Sequence, residues 1–204
     1  MSIEDIKVFL PKYLSPGSEK ILFDCLRDFP DNIDSRLYSS YLEEHEMLFQ
    51  GDGIRNLLLI NLPDTSIKPG NGMVLSNTCD MHSENIREIP TNIIYAPIFS
   101  LNRYIDLMSK SGAKSKEQIT SHLVSIKKQM ITQIFYLPGI VGSLEESIVF
   151  LDRIINCQSE YINRKELKAR RIFILSDYGA YLFVLKLSIH FCRINDKINR
   201  VLNE

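Results

Sequence analysis

The spacing of apolar residues changes along this chain, from helix-like near the start to strand-like after about residue 50. In the first part, apolar positions recur three and four residues apart, which predicts a helix that begins at Ser18 and ends before Pro30. Further helices are predicted over Ile3–Leu10 and, more weakly, over Arg36–Met47. We therefore expect residues 1–48 to form a helical N-terminal extension.

Beyond that extension, short apolar runs are bounded by Gly, Pro, Asn and Asp, a pattern typical of buried strands. Two polar segments, 63–71 and 77–91, predict loops between the first three runs. The runs alternate with turn residues rather than with helices, so we expect a strongly bent antiparallel sheet. The predicted strands cover residues 55–61, 72–76, 92–98, 132–137, 147–154 and 171–175.

A helical insertion is predicted at about 102–131, because the apolar spacing there returns to that of a helix. Ser115 and Gln118 have the spacing of a capping box, which marks the start of a helix over 115–130. One face of this helix is apolar and should pack on the sheet. The residues expected to face the core are Ile119, Leu123, Ile126 and Met130.

A closing C-terminal helix is predicted at about 177–193, and its apolar composition indicates burial. A stripe of basic groups runs along it at helical spacing. The stripe fits either a solvated face, which is the commoner case, or a ridge that contacts phosphate. The expected core contacts are Leu182, Leu185 and Ile189, and the basic stripe is Lys186, His190, Arg193 and Lys197.

Composition narrows the possible functions. The 24 Lys and Arg residues nearly balance 25 Asp and Glu, so any contact with nucleic acid must come from a local patch. Four scattered cysteines give no disulfide framework and no zinc motif. No apolar run is long enough to cross a membrane, and the acidic Glu4 and Asp5 do not fit a signal peptide. We expect a cytoplasmic protein without a cofactor.

The densest cluster of reactive groups is the run from Thr78 to His82, directly after a predicted strand. Cys79 could act as a nucleophile activated by His82. Cys79, Asp80 and His82 could hold a metal, although no fourth ligand is evident. Asp80 and His82 could also act as an acid–base pair on RNA. The alternative is a purely structural turn, in which the Cys79 side chain packs inward and the Asp80 carboxylate forms hydrogen bonds with the backbone.

One compact basic run lies in the connector after the predicted 147–154 strand. Its cations could reach an RNA backbone or an acidic partner, and solubility alone explains them equally well. The run consists of Lys165, Lys168, Arg170 and Arg171.

Several short motifs occur in an order that is similar to a known family. Gly51-Asp52 precedes the first strand, and Lys68-Pro69 precedes a strand that ends Val-Leu-Ser-Asn at residues 74–77. Later come Ala-Pro-Ile-Phe-Ser at 96–100 and Leu-Asp-Arg-Ile at 151–154. Together these motifs resemble the PemK/MazF-like (CcdB-type) toxins, and most closely a set of larger uncharacterised bacterial proteins with the same signature.

The resemblance implies an SH3-like antiparallel β-barrel over 49–204, with an activity as a metal-independent, sequence-specific endoribonuclease. It also implies a homodimer that is silenced by an antitoxin, in a toxin–antitoxin or phage-defence setting. The family's cleavage residues are an arginine and a threonine, and their positions here are occupied by Lys68 and Phe99. A lysine supplies charge without the arginine fork, and a phenylalanine supplies no proton acceptor.

Two functions therefore remain as expectations. The first is a toxin-like protein that acts on RNA, and the second is an inactive barrel that serves as a protein-interaction or regulatory subunit, so that enzymatic activity stays an open question. The candidate catalytic residues are Asp80, His82, Lys68 and Cys79, and the candidate RNA- or partner-binding residues are Thr78, Arg153, Lys168, Arg170 and Arg171.

Overall fold

The computed structural model describes residues 16–192, apart from 32, 42–45, 83 and 86. The predicted helix Ile3–Leu10 and the last two members of the basic stripe, Arg193 and Lys197, lie outside these residues. Within the described part, the protein is a mixed α+β structure built on an eight-stranded sheet in which every pairing is antiparallel.

Strands and helices follow one another along the chain without a repeating unit. The strands of the described part are β1 (Tyr38–Ser39), β2 (Gly53–Asn61), β3 (Asp64–Val74), β4 (Asn92–Ser100), β5 (Ile134–Leu137), β6 (Ser147–Phe150), β7 (Ile155–Gln158) and β8 (Arg171–Leu175). The α-helices are α1 (Pro16–Arg27), α2 (Leu101–Ser111), α3 (Lys116–Lys127), α4 (Leu167–Arg170) and α5 (Asp177–Cys192).

The sheet has the strand order β1-β8-β2-β3-β4-β6-β5, with β7 paired to β4. β4 is its centre, because β4 pairs with β7 at its start, with β3 in its middle and with β6 at its end. The order has two ends, β1 and β5, and no pairing in the described part joins them. The predicted α+β class and antiparallel sheet are confirmed, and the sheet is not closed.

The strand predicted over 147–154 ends at Phe150 as β6, and the next strand, β7, begins just after the predicted range, at Ile155. Both strands lie on the same side of β4. Leu151 to Ile154 interrupt them, and Leu151 turns into the core while its three successors are exposed. The interruption shifts the register on β4, which lets β7 continue toward the start of that strand.

The predicted loop at 63–71 is wrong except at its first residue, because residues 64–71 belong to β3. β2 and β3 form a long hairpin that turns at Leu62 and Pro63, and its outer residues 61–69 are exposed. A two-stranded ribbon in solvent satisfies its backbone by pairing between the strands and by water along its outer edges, and it needs no apolar alternation. The polar composition therefore gave no strand signal.

The helix predicted over Arg36–Met47 is also wrong in its described part. Ser35–Leu37 forms a single 3-10 turn, and Tyr38–Ser39 then pairs with β8 as β1. Leu37 is fully buried, and a Cβ atom added at Gly179 would lie only 2.2 Å from the Leu37 carbonyl oxygen. The absence of a side chain at Gly179 thus allows α5 to approach this turn.

The predicted C-terminal helix is confirmed as α5, but its predicted buried face is partly wrong. Leu182 is 5% exposed, whereas Leu185 and Ile189 are 37% and 44% exposed. Lys186, expected in the solvated stripe, is buried and donates to the backbone oxygen of Gln129. The helix is apolar on most sides, so composition alone does not identify its inner face. None of the described helices combines the length and apolar character needed to cross a bilayer.

The helical insertion consists of two helices, α2 and α3, rather than one continuous segment. The capping box at Ser115 and Gln118 is confirmed, with both reciprocal hydrogen bonds present. Ile119 and Ile126 are buried as predicted, but Met130 lies beyond the end of α3 and is 66% exposed. The helix ends before Met130, so the predicted stripe stops one turn early.

Candidate functional site

A surface groove of about 510 Å³ lies between two segments that the sheet brings together. One is the 77–91 segment, which leads into β4, and the other is the 159–165 connector, which follows β7. β4 and β7 pair from Asn92 to Tyr95, so the two segments leave the same end of the sheet side by side. The charged and titratable groups lining the groove are Asp80, His82, Arg87, Glu160, Arg164 and Lys165.

Apolar anchors fix both walls of the groove. Met81 is 4% exposed and Ile162 is 1% exposed, and both belong to one buried cluster with Tyr95. Because Met81 points into this cluster, its neighbours Asp80 and His82 are held at the surface. Burial of one side chain thus positions two polar ones.

Hydrogen bonds to the backbone shape the turn that carries Asp80. Asn77 Oδ1 accepts from the backbone nitrogen of Cys79 at 2.8 Å, and Asn85 Nδ2 donates to the Cys79 carbonyl at 3.2 Å. Thr78 Oγ1 accepts from the backbone nitrogen of Gln50 at 2.9 Å. Thr78, predicted to bind RNA or a partner, therefore ties the turn to the strand entry, and it does not line the groove.

Arg164 joins the two walls. Its Nη2 donates to the Met81 carbonyl at 3.1 Å and to Ser159 Oγ at 3.2 Å. Burial lowers the pKa of the Arg164 guanidinium, and the carboxylate of Asp52 opposes that shift. Arg164 therefore fixes the width of the groove, while the accessible cations are Arg87 and Lys165.

The Asp80 carboxylate forms an ion pair across the same wall. Arg87 Nη2 lies 2.5 Å from Asp80 Oδ1, and both side chains are about half exposed. Oδ2 of Asp80 remains open to a ligand, because the hydrogen bond from Arg87 uses only Oδ1. A carboxylate oxygen and a guanidinium are thus held together at the surface of the groove.

The orientation of the His82 ring follows from its neighbours. His82 Nδ1 accepts from the backbone nitrogen of Glu84 at 3.3 Å, so the neutral ring carries its proton on Nε2. Glu84 Oε2 lies 4.0 Å from the same Nδ1 and can pair with the protonated ring. The neutral His82 ring therefore has a defined proton position, with a carboxylate near its Nδ1.

The structure separates the alternatives for the 78–82 cluster. Asp80 and His82 both line the groove, whereas Cys79 is exposed outside it and meets His82 only through a backbone hydrogen bond, from the His82 nitrogen to the Cys79 carbonyl at 3.4 Å. Among the described residues, no group of three His, Cys, Asp or Glu side chains is arranged to hold a metal. The acid–base interpretation therefore has the best geometric support.

Two of the predicted cations, Lys68 and Arg153, do not join this groove, whereas Lys165 of the basic run does. Lys68 lies on the exposed β2–β3 ribbon, opposite Leu59, and Arg153 is not a lining residue. The guanidinium of Arg153 lies 4.4 Å from the ring centroid of Phe150 and 5.3 Å from that of Phe99. Phe99, which stands at the family's threonine position, thus packs in an aromatic cluster rather than at a site.

The basic run of the connector divides into different environments. Arg171 is 7% exposed, and its Nη2 lies 3.2 Å from the buried carboxylate of Asp52. Its charge is therefore paired inside the protein and is not accessible to a ligand. Arg170 donates to the carbonyls of Arg55 at 3.2 Å and Asn56 at 2.9 Å, which covers the outer edge of β2. Lys168 is exposed outside the groove.

Sequence reasoning missed several residues of the groove. Arg87 and Asn85 lie in the polar 77–91 segment, and Arg164 stands beside the basic run, so each was close to a recognised feature. The signal that brings them together is the pairing of β4 with β7, which the sequence does not show as two aligned strands. Glu160 had no sequence signal of its own.

Comparison with known proteins gives no direct assignment. No family model matches the chain, and no curated protein matches it.

Proposed function

We propose that the groove binds RNA and cleaves its backbone without a metal ion. The observation that carries this proposal is that Asp80 and His82 line one groove together with two accessible cations, Arg87 and Lys165. Phosphodiester cleavage needs a proton acceptor, a proton donor and positive charge at one phosphorus. These four side chains supply all three.

The chemistry follows from the proton positions. Asp80 Oδ2 takes the proton of a ribose 2′-hydroxyl as the 2′ oxygen bonds to phosphorus. The bond from phosphorus to the 5′ oxygen breaks, and protonated His82 gives its proton to that leaving oxygen. Arg87 and Lys165 stabilise the negative charge on the phosphoryl oxygens. The products are a 2′,3′-cyclic phosphate and a 5′-hydroxyl.

The resemblance to PemK/MazF-like toxins independently supports RNA as the substrate. On this proposal the bent sheet derives from an SH3-like barrel, and the protein acts in a toxin–antitoxin or phage-defence setting with an antitoxin or defence protein as partner. The chemistry lies in a different place from the family's cleavage positions, because Lys68 and Phe99 do not line the groove.

The test is cleavage of a long RNA of mixed sequence by the purified chain in the presence of EDTA. We expect cleavage that leaves cyclic phosphate ends, and a loss of about 10²–10⁴-fold in rate in His82→Ala and in Asp80→Asn. Asp106→Asn, which removes an exposed carboxylate on α2, is the matched control and should cleave normally. Intact RNA with every variant and no measurable RNA binding would refute the proposal.

A second candidate function is protein interaction, which one observation favours. The outer side of α5 carries four apolar side chains that are between 37% and 56% exposed: Val184, Leu185, Ile189 and Phe191. Exposed apolar side chains grouped on one helix are typical of interaction surfaces. If this function holds in place of the first, Leu185→Ser and Phe191→Ser should abolish self-association in sedimentation experiments, while RNA is neither bound nor cleaved.

A further inference from the structure

Glu160 places a second carboxylate in the groove, where a phosphate-binding surface would be expected to avoid one. The other carboxylate, Asp80, is neutralised by Arg87 at 2.5 Å. Glu160 has no hydrogen bond or ion pair to any residue of the described chain, including its groove neighbour Lys165. It is therefore a negative charge with both oxygens open to a ligand.

The wall that carries Glu160 is held in place. Glu160 lies in the 3-10 turn Ser159–Tyr161, and the backbone nitrogen of Ser159 donates to the Thr91 carbonyl at 3.2 Å. Ser159 Oγ also accepts from Arg164, which bonds the opposite wall. The position of the Glu160 backbone relative to Asp80 and His82 is thus fixed by contacts on both sides.

An ionised carboxylate accepts hydrogen bonds and cannot donate them. It repels the phosphates of RNA, so in an RNA-binding groove it must face a group that presents donors, either a ribose 2′-hydroxyl or a base. The fixed phosphate-contacting side of the groove is served by Asp80, which leaves a base for Glu160. Guanine offers two adjacent donors, N1–H and N2–H, which match the two carboxylate oxygens. Uracil offers one N–H between two carbonyl oxygens, which a carboxylate repels. The Watson–Crick edge is open only in an unpaired base.

We infer that Glu160 reads the Watson–Crick edge of an unpaired guanine, so that the groove selects single-stranded RNA with a guanine beside the phosphate held by Arg87 and Lys165. This inference rests on the proposed function of the groove and adds its substrate class. Glu160 is the specificity-determining residue, while Asp80 and His82 act on the backbone.

The experiment is fluorescence anisotropy with labelled seven-nucleotide RNAs whose 2′-O-methyl riboses prevent cleavage. Four oligomers are used: uridine throughout, or uridine with one central guanosine, adenosine or cytidine. The wild type should bind the guanosine oligomer about tenfold more tightly than the uridine oligomer, which is the discrimination of a bidentate base contact. Pairing that oligomer to a complement should abolish the preference.

Glu160→Gln should reduce the guanosine preference to less than about twofold, because the amide presents a donor to the N2 amino group. Glu145→Gln makes the same charge change at an exposed site outside the groove and should keep the preference. Equal binding of all four oligomers by the wild type would overturn the guanine inference and leave RNA binding intact, as would a preference that survives Glu160→Gln. Absence of binding to any oligomer at low salt would overturn the proposed function itself and this inference with it.

Discussion

Two arginine–aspartate pairs of this protein have opposite environments. The side chains of Arg171 and Asp52 are 3% and 0% exposed, and their charged atoms lie 3.2 Å apart, between the entry of β2 and β8. Arg87 and Asp80 are 46% and 52% exposed and lie 2.5 Å apart on the wall of the groove. The two pairs consist of the same charged groups and differ in their access to water and in their backbone partners.

The buried pair serves the fold. Asp52 Oδ2 also accepts from the backbone nitrogen of Phe49 at 3.1 Å, and Arg171 Nη2 donates to the Met47 carbonyl at 2.5 Å. Burial raises the pKa of Asp52 to about 6, and the neighbouring Arg171 only partly opposes that shift. A strongly perturbed titratable group in this protein thus marks a structural pair, whereas the candidate site consists of solvated groups.

The largest expected difference between the pairs is in stability. Arg171→Met leaves a buried carboxylate without its cation and should lower the free energy of unfolding by about 3–5 kcal/mol. Arg87→Met removes a solvated partner and should change it by less than about 1 kcal/mol. Urea unfolding followed by circular dichroism measures both. Equal effects of the two variants would show that burial does not distinguish the pairs.

The second expected difference is in pH dependence. The folded pKa of Asp52, about 6, lies above its ordinary value of 3.8, so the folded state holds a proton that the unfolded state has released. Stability from this group is therefore present at low pH and is lost as pH rises through about 6. We expect the wild type to lose about 2 kcal/mol relative to Asp52→Asn between about pH 4 and pH 7.5.

Lys186 extends the comparison to a buried cation. It donates to the side-chain oxygen of Gln129 at 3.3 Å and to its backbone oxygen, and burial lowers its pKa to about 8. The unfolded lysine keeps its proton to about 10.5, so stability should rise as pH increases above about 8. Between about pH 7 and pH 9.5 the gain over Lys186→Met should be about 2 kcal/mol. Parallel curves for the two proteins would contradict this assignment.

The smallest expected effect concerns salt. An exposed pair is screened at high ionic strength and a buried pair is not. Raising salt from about 0.05 M to 0.5 M should change the stabilising effect of Arg87 by less than about 0.5 kcal/mol and that of Arg171 not measurably. RNA affinity should fall markedly over the same range, because phosphate binding releases counterions. A salt-independent RNA affinity would argue against Arg87 and Lys165 as phosphate contacts.

Local pattern was enough to identify many elements of the fold. The spacing of apolar residues correctly predicted the strands at 55–61, 92–98 and 171–175, because each carries apolar side chains buried in the core: Leu57 in the first, Ile93, Tyr95 and Ala96 in the second, and Ile172 to Leu175 in the third. The inner end of β3 falls within the predicted strand at 72–76, but its outer part, 64–71, was missed because most of those residues are solvated and pair without an apolar pattern. The spacing of apolar residues predicts only elements that bury side chains. A strand that is held mainly by backbone hydrogen bonds in solvent does not produce such a spacing.

The sequence by itself determined the reactive run at 78–82 and its place directly after a strand, because both are local properties. Only the tertiary structure decided which cations serve it. Pairing of β4 with β7 brings Arg164, Lys165 and Glu160 to Asp80, while burial removes Arg171 and the aromatic cluster holds Arg153. The sequence specifies which side chains are charged, but the access of each charge to water and to a partner depends on contacts between residues far apart in the chain.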